Sequence, residues 1–211
     1  MSLPTDWLER LRRSLAAAPD HEPSRWHIAG RPLSAEPAVR EAMPAVPRAA
    51  AVLVPIIDRP GAPSLLLTAR AGHLRHHAGQ ISFPGGGVEA SDADMVAAAL
   101  RETREEIGID ARYIEPLGFM PDQVVLTGFR ITPVVALLRP DFTLQIDTAE
   151  VAEVFELPLE FLADAGNFRP VRRVLRGVEV TLNDLNYKGR VIWGATAGML
   201  QVLHAALRRE S

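Results

Sequence analysis

Residues 82–109 read SFPGGGVEASDADMVAAALRETREEIGI, and the second half of this stretch is a helix charged in the wrong place. From about Asp94 to Ile107 the apolar positions recur at helical spacing, with Val96, Leu100, Thr103 and Ile107 as the core stripe. Gly108 is the usual stop signal. Glu102, Glu105 and Glu106 stand at i, i+3 and i+4, within an arc of roughly 100° on a helical wheel. Like charges at that spacing destabilise a helix, and they do so here at the end where the macrodipole is already negative. Ala98 falls on the same side a turn earlier and leaves room for something to approach. A hard divalent cation such as Mg²⁺, which takes carboxylates, water and phosphate oxygens, would turn the repulsion into attraction. The glycines ahead of the helix let the backbone turn sharply and approach a ligand, and a free carbonyl there could join the metal shell. They do not form a P-loop, because no Gly-Lys-Ser/Thr follows. Taken alone, the three glutamates favour the plainer reading of a solvated helix face beside a loop, since Glu-rich helix faces are common.

Outward from this centre, AAAVLVPII (49–57), the turn DRPGAP and SLLLTAR (64–70) read as a β-hairpin. Further strands are expected at 112–119, 131–138, 142–147, 151–157, 171–175 and 178–182, and a final helix at 195–209. Strands and helices do not alternate regularly, which favours an α+β fold with a mixed sheet over a doubly wound one. At the N-terminus, Trp7, Leu8, Leu11 and Leu15 predict an amphipathic helix over 5–17. Pro19, Pro23, Pro32, Pro37, Pro44 and Pro47 then punctuate a stretch with little periodicity, read as an extended arm lying on the domain. The division expected is an N-terminal helix and proline-rich arm, 1–47, and one catalytic domain, 48–211.

The 211 residues fit one domain with an appended arm. A content of 47% hydrophobic and 23% charged residues is that of an ordinary globular chain. The net charge of −3 argues against a general nucleic-acid binder, so any anionic ligand must be met by local cations. With no cysteine, disulfides, thiolate zinc sites and a cysteine nucleophile are excluded, and a reducing compartment is compatible. No apolar run reaches the length of a membrane span, and the charged N-terminus does not read as a signal peptide, so a cytoplasmic protein without membrane contact is expected. A homodimer is left open.

Gly87 through Ile109 resembles the Nudix box, G-x5-E-x7-R-E-U-x-E-E-x-G-U with U apolar: Gly87, Arg101, Glu102, Glu105, Glu106, Gly108 and Ile109 are in register. The resemblance implies the Nudix fold, a mixed sheet sandwiched between helices, and hydrolysis of a nucleoside diphosphate linked to another group. It also implies Mg²⁺ or Mn²⁺ held by Glu102, Glu105 and Glu106, with the Gly86 carbonyl as a further ligand. Two positions depart from the box. Thr103 takes an apolar place, and Ala93 stands where the first glutamate, mainly structural, belongs; its loss bears on the orientation of Arg101, and Asp92 or Asp94 could substitute.

Residues 66–86, LLTARAGHLRHHAGQISFPGG, closely resemble the segment that precedes the box in the coenzyme A diphosphatase branch, as do Thr127-Gly128-Phe129 and IWGATA at 192–197. Coenzyme A carries a diphosphate and a 3′-phosphate, and Arg70 and Arg75 offer charge-assisted contacts to such groups, with Gly85 and Gly86 beside them. For each arginine a structural ion pair is an equal alternative. His73, His76 and His77 lack an acidic or thiol partner at metal spacing, which favours a solvated or phosphate-facing cluster over zinc. Trp193 and Phe129 read as core or pocket wall, and His204 as a packing or surface histidine. The family often brings another glutamate from a loop near 150, and Glu150 is favoured over Glu153, which should lie within a strand.

The mechanism implied is attack of water on one phosphorus of the diphosphate, releasing 3′,5′-ADP and 4′-phosphopantetheine. Glu105, Glu106 or Glu150 would take the proton, with Arg101 among the catalytic set. The rivals are another Nudix substrate, such as ADP-ribose, a dinucleotide or a nucleoside triphosphate, and a Nudix-fold protein that senses a nucleotide without cleaving it.

Overall fold

The computed structural model describes residues 3–73, 78–175 and 177–208. The apolar run after the arm forms β3 (Arg48–Ile57), following α1 (Trp7–Ser14), β1 (His27–Ile28), β2 (Arg31–Pro32) and α2 (Pro37–Glu41). It is followed by β4 (Ser64–Arg70), β5 (Ile81–Ser82), β6 (Gly85–Gly87) and the charged helix α3 (Met95–Ile107). Then come β7 (Ile114–Phe119), β8 (Gln123–Val125), β9 (Phe129–Leu138), β10 (Val151–Pro158) and α4 (Leu159–Ala163). The chain closes with β11 (Arg169–Leu175), β12 (Val178–Tyr187), β13 (Arg190–Ile192) and α5 (Gly194–Arg208).

Among the described residues, ten strands join one mixed sheet with the path β10-β4-β3-β9-β8-β1-β2, while β11, β12 and β13 form a second, antiparallel sheet. The expected hairpin is present, with Ile56 opposite Leu65 and Ile57 opposite Ser64, but the long partner of β3 is β9, parallel from Arg48–Phe129 to Ile57–Leu138. A central strand of a sheet packed between helices is covered on both faces and therefore reads as a continuous apolar run. Alternate residues of β3 supply the two cores. Val54 and Ile56 pack with Leu65, Leu67, Leu200 and Leu203 on the α5 side, where Leu11 of α1 joins them. Ala51, Leu53 and Ile57 pack with Ala98, Ala99 and Ile107 of α3 on the other.

The α3 helix begins at Asp94, whose side chain accepts from Ala97 N at 2.8 Å. It ends at Gly108 in the left-handed region, φ 73°, whose N–H donates to Arg104 O at 2.9 Å. The segment 142–147, expected as a strand, is irregular. Gln145 N and Asp147 N donate to Ile107 O and Glu106 O, both at 2.9 Å. These donors satisfy helix-end carbonyls that have no partner within the helix, and so are not available to a sheet ladder. Residues 18–47, expected to lie on the domain as an extended arm, instead contribute β1, β2 and α2. His27 pairs in parallel with Gln123, which places β1 and β2 at the sheet edge. His21 Nδ1 bonds the buried Asp122 at 2.8 Å and pins this segment.

Candidate active site

Antiparallel pairing of Gly85–Gly87 with Val52–Ala50 lays the glycine run beside the C-terminal half of α3. An added Cβ on Gly86 would lie 2.5–2.6 Å from the carboxyl atoms of Glu102, and one on Gly85 would lie 2.4 Å from Ala51 O. At Gly85 the clash would be with fixed backbone, whereas at Gly86 it would be with the movable end of Glu102, and the absence of a side chain at Gly86 is what admits the Glu102 carboxylate.

The three glutamates divide in a way the helical wheel does not show. Glu106 turns under the glycine strand and is 3% exposed; Ala98, a residue expected to line open space, is fully buried against the sheet. Glu106 Oε2 accepts from Gly85 N at 3.2 Å, and its Oε1 lies 3.7 Å from Arg70 Nη1. Burial pushes its carboxyl up to about 7, against the Gly85 bond and the Arg70 charge, and with the charges of Glu102 and Glu150. Glu102 is also raised, first by burial, then by Glu105 and Glu150, with Arg101 opposing. Glu105 lies on the open flank, its side chain 59% exposed.

Arg101 ties this end of the helix together. Its Nη1 donates to Glu102 Oε1 at 2.9 Å and Glu105 Oε2 at 3.0 Å, and its Nη2 to Gly87 O at 3.0 Å. Nε and Nη2 also reach Asp92 Oδ1 and Oδ2, each at 3.0 Å. The Arg101 bonds, helped by the Glu89 N–H, hold the Asp92 carboxyl below its ordinary range, and the same contacts strengthen the hold of Arg101 on its proton. Asp94 is instead the helix cap.

Arg70, at the end of β4, faces Glu106 and keeps a buried Nε that has no hydrogen-bond partner among the described residues. Glu150 stands just before β10 and accepts from Ala71 N through its carbonyl at 2.8 Å, so the loop after Arg70 and the Glu150 turn are stitched together. Glu153 lies within β10 and pairs with Arg190, away from the box. Arg75, His76 and His77 lie outside the described residues; His73 is exposed. His204 Nδ1 bonds Leu162 O at 2.8 Å, as a packing histidine. Phe129 lies 4.1 Å beneath the Arg48 guanidinium and Trp193 4.7 Å beneath that of Arg173. Sequence reasoning singled out neither Arg173 nor Arg190; the basic run RPVRRVLR (169–176) was the available signal for Arg173, and none marked Arg190.

Among the described residues no three acidic or histidine side chains already converge as a coordination shell, since Arg101 Nη1 lies between Glu102 and Glu105. The residues nevertheless fit a hard divalent cation. The donors are carboxylate oxygens, two of the carboxyls are disfavoured as anions by their burial, and the glycine at 86 leaves space where any Cβ would strike one of them. Arg101 could release Glu102 and Glu105 to a cation while keeping Asp92 and Gly87 O.

Residues 47–176 match the NUDIX domain family. The uncharacterized Nudix hydrolases NudL of Salmonella paratyphi B and Salmonella newport are each 43% identical to this chain over 156 residues, 74% of this chain and 81% of each relative. A solved MutT/nudix family protein from Enterococcus faecalis is 20% identical with a TM-score of 0.48, over 74% of this chain and 60% of that one. The box in register and a match that spans most of the chain make it a member of the Nudix hydrolases, acid-anhydride hydrolases of nucleoside diphosphate derivatives that generally need a divalent cation such as Mg²⁺ or Mn²⁺.

Proposed function

We propose that this chain hydrolyses the diphosphate bond of coenzyme A or its derivatives. The observation that carries the reading is Arg70: it lies within the 66–86 segment that resembles the coenzyme A diphosphatase branch, faces Glu106, and among the described residues leaves its Nε without a partner. A guanidinium held at 3.7 Å from a carboxylate that is itself disfavoured as an anion has donors to offer to a phosphate.

In this reading Glu102, Glu105, Glu106 and the Gly86 carbonyl hold Mg²⁺ or Mn²⁺, which would neutralise phosphate charge and acidify a bound water. Arg70, with Arg75 and the Gly85–Gly86 backbone, binds and orients the diphosphate. Arg101 positions Glu102 and Glu105 from its anchor on Asp92 and answers their charge. Glu150, or Glu105 or Glu106, accepts the proton of the attacking water. The water oxygen bonds to one phosphorus, the bridging P–O bond breaks, and 3′,5′-ADP and 4′-phosphopantetheine leave. The N-terminal arm braces the catalytic domain, 48–211, through α1 on the α5 side and through β1 and β2 at the sheet edge.

Purified protein with Mn²⁺ or Mg²⁺ and a panel of coenzyme A, ADP-ribose, a dinucleotide and nucleoside triphosphates tests this. The highest kcat/KM is expected for coenzyme A. An equal or higher value for any of the others overturns the substrate assignment, and no turnover of any diphosphate would favour a nucleotide sensor.

A further inference from the structure

A cavity of about 630 Å³ lies beside the strand end that carries Arg70, between the 78–81 segment, β10 and β13. Its walls include Ala69, Gly79, Glu153, Arg173, Arg190 and Trp193. Ala69 and Arg70 are consecutive, so their side chains face opposite sides of the sheet, Ala69 toward the cavity and Arg70 toward Glu106; Arg70 ends β4, and a ligand it holds reaches the cavity by passing around that strand end. Its size is that of a small-molecule site, and it has an aromatic wall and convergent cations.

The charges are unevenly satisfied. Arg190 forms a two-pronged pair with Glu153 and covers the Phe155 ring at 4.7 Å, so its charge is answered. Arg173 lies 4.7 Å over the Trp193 ring and pairs with Asp184 through Nη2 alone. Its Nε and Asp184 Oδ1 are both buried and, among the described residues, without a hydrogen-bond partner. A buried guanidinium N–H left unmade is costly unless a ligand completes it. Counting wall residues only, two arginines stand against one glutamate, and an indole ring lies among them.

We infer that this cavity is the subsite for the 3′-phosphorylated adenosine end of the substrate, with Arg173 meeting the 3′-phosphate and Trp193 forming the wall against which the base packs. The inference rests on the coenzyme A reading, and it makes Arg173 a specificity residue that separates coenzyme A from diphosphates lacking a 3′-phosphate. The base supplies a flat apolar face for the indole, and the phosphate supplies acceptors for the guanidinium.

Calorimetric titration of 3′,5′-ADP and 5′-AMP into the wild type and Arg173→Gln tests the subsite without any turnover. The wild type is expected to bind 3′,5′-ADP at least ten-fold tighter than 5′-AMP, and Arg173→Gln to weaken 3′,5′-ADP at least ten times more than it weakens 5′-AMP. Arg173→Lys keeps a charge for Asp184 but loses the planar fork; it is expected to fold and to show the same selective loss, which covers the case in which the Gln variant fails to fold. Equal binding of the two nucleotides, or equal loss of both in the folded variant, overturns the subsite. In the kinetic arm the wild-type preference for coenzyme A over 3′-dephospho-coenzyme A is expected to shrink in the variant by the same factor. Nucleotide discrimination without turnover of either coenzyme would sink the coenzyme A reading while leaving the subsite standing.

Discussion

Arg101 and Asp92 form a bidentate pair, Nε to Oδ1 and Nη2 to Oδ2, both at 3.0 Å. The box resemblance places the structural glutamate at position 93, where this chain has an exposed alanine. One residue earlier, the shorter aspartate reaches the same guanidinium. Of the two aspartates flanking Ala93, only Asp92 meets Arg101; Asp94 caps α3.

The division gives opposite expectations for the two aspartates. Asp92→Asn removes the charge that anchors Arg101, so Arg101 should shift toward Glu102 and Glu105 and compete with the metal. The metal concentration for half-maximal rate should rise about ten-fold, the range seen when an outer partner of a metal ligand is removed. Asp94→Ala should cost about 1 kcal/mol of stability as a lost helix cap and leave that metal concentration unchanged. Metal titrations of rate and thermal melts of both variants check the pair; an unchanged metal requirement in Asp92→Asn would leave the bidentate contact without a role in the site.

Gly86→Ala should separate folding from chemistry. The added methyl would sit 2.5–2.6 Å from the Glu102 carboxyl, so Glu102 must swing away. The displaced side chain is flexible and the strand pairing with β3 can persist. The variant should fold, bind Mg²⁺ or Mn²⁺ weakly and lose at least ten-fold in kcat/KM. Circular dichroism with a rate measurement decides this; full activity would mean that Glu102 has another place to work from.

Arg70→Gln tests the phosphate contact. Loss of a hydrogen bond to a charged group is worth about 1.5–3 kcal/mol, which is roughly 10–150-fold in kcat/KM. The effect should appear in KM if Arg70 binds ground state and transition state alike. Unchanged kinetics beside a lowered melting temperature would make Arg70 a structural partner of Glu106.

How much of this was legible in the sequence depended on whether local pattern or distant pairing set the feature. The α3 helix, its Asp94 to Gly108 limits and the apolar runs of β3 and β4 follow from side-chain period and caps, which are local. The parallel alignment of β3 with β9 brings Arg48 to Phe129 across a long separation, and no local signal encodes it. The 142–147 segment carries strand-like alternation, but its backbone donors are taken by the end of α3, a competition visible only in three dimensions. In the site, the helical spacing put all three glutamates on one arc. It could not show that the glycine strand would cover Glu106 and leave Glu105 open, because that depends on where β6 lies. The cavity beside Arg70 was hidden for the same reason: Arg173 and Arg190 come from separate strands of the second sheet, and they close a cavity only where that sheet meets Ala69 and Glu153 of the first.

The last expectation concerns Glu106, whose burial makes it the most informative of the carboxylates. Its folded-state value of about 7 lies above the ordinary 4.5, so below about 4.5 both folded and unfolded chains carry its proton and its contribution to stability is fully present. Between 4.5 and about 7 the folded state holds more protons than the unfolded one, so raising the pH removes that contribution, on the order of 3 kcal/mol in all. Glu106→Gln keeps an acceptor for Gly85 N without an ionisable group. In chelator the two proteins should melt together near pH 4.5, and the variant should become the more stable as the pH rises to 8. In saturating Mg²⁺ at pH 8 the order should reverse, because a bound cation stabilises the native state by RT ln(1 + [L]/Kd) and the deprotonated wild type binds it more tightly. The wild-type affinity for Mg²⁺ should itself weaken as the pH falls through 7, since the proton and the cation compete for one carboxylate. Paired melts across pH, with chelator and with Mg²⁺, check each sign. A variant that melts below wild type at pH 8 in chelator would show that the charge on Glu106 is already compensated within the protein, with no cation needed to account for it.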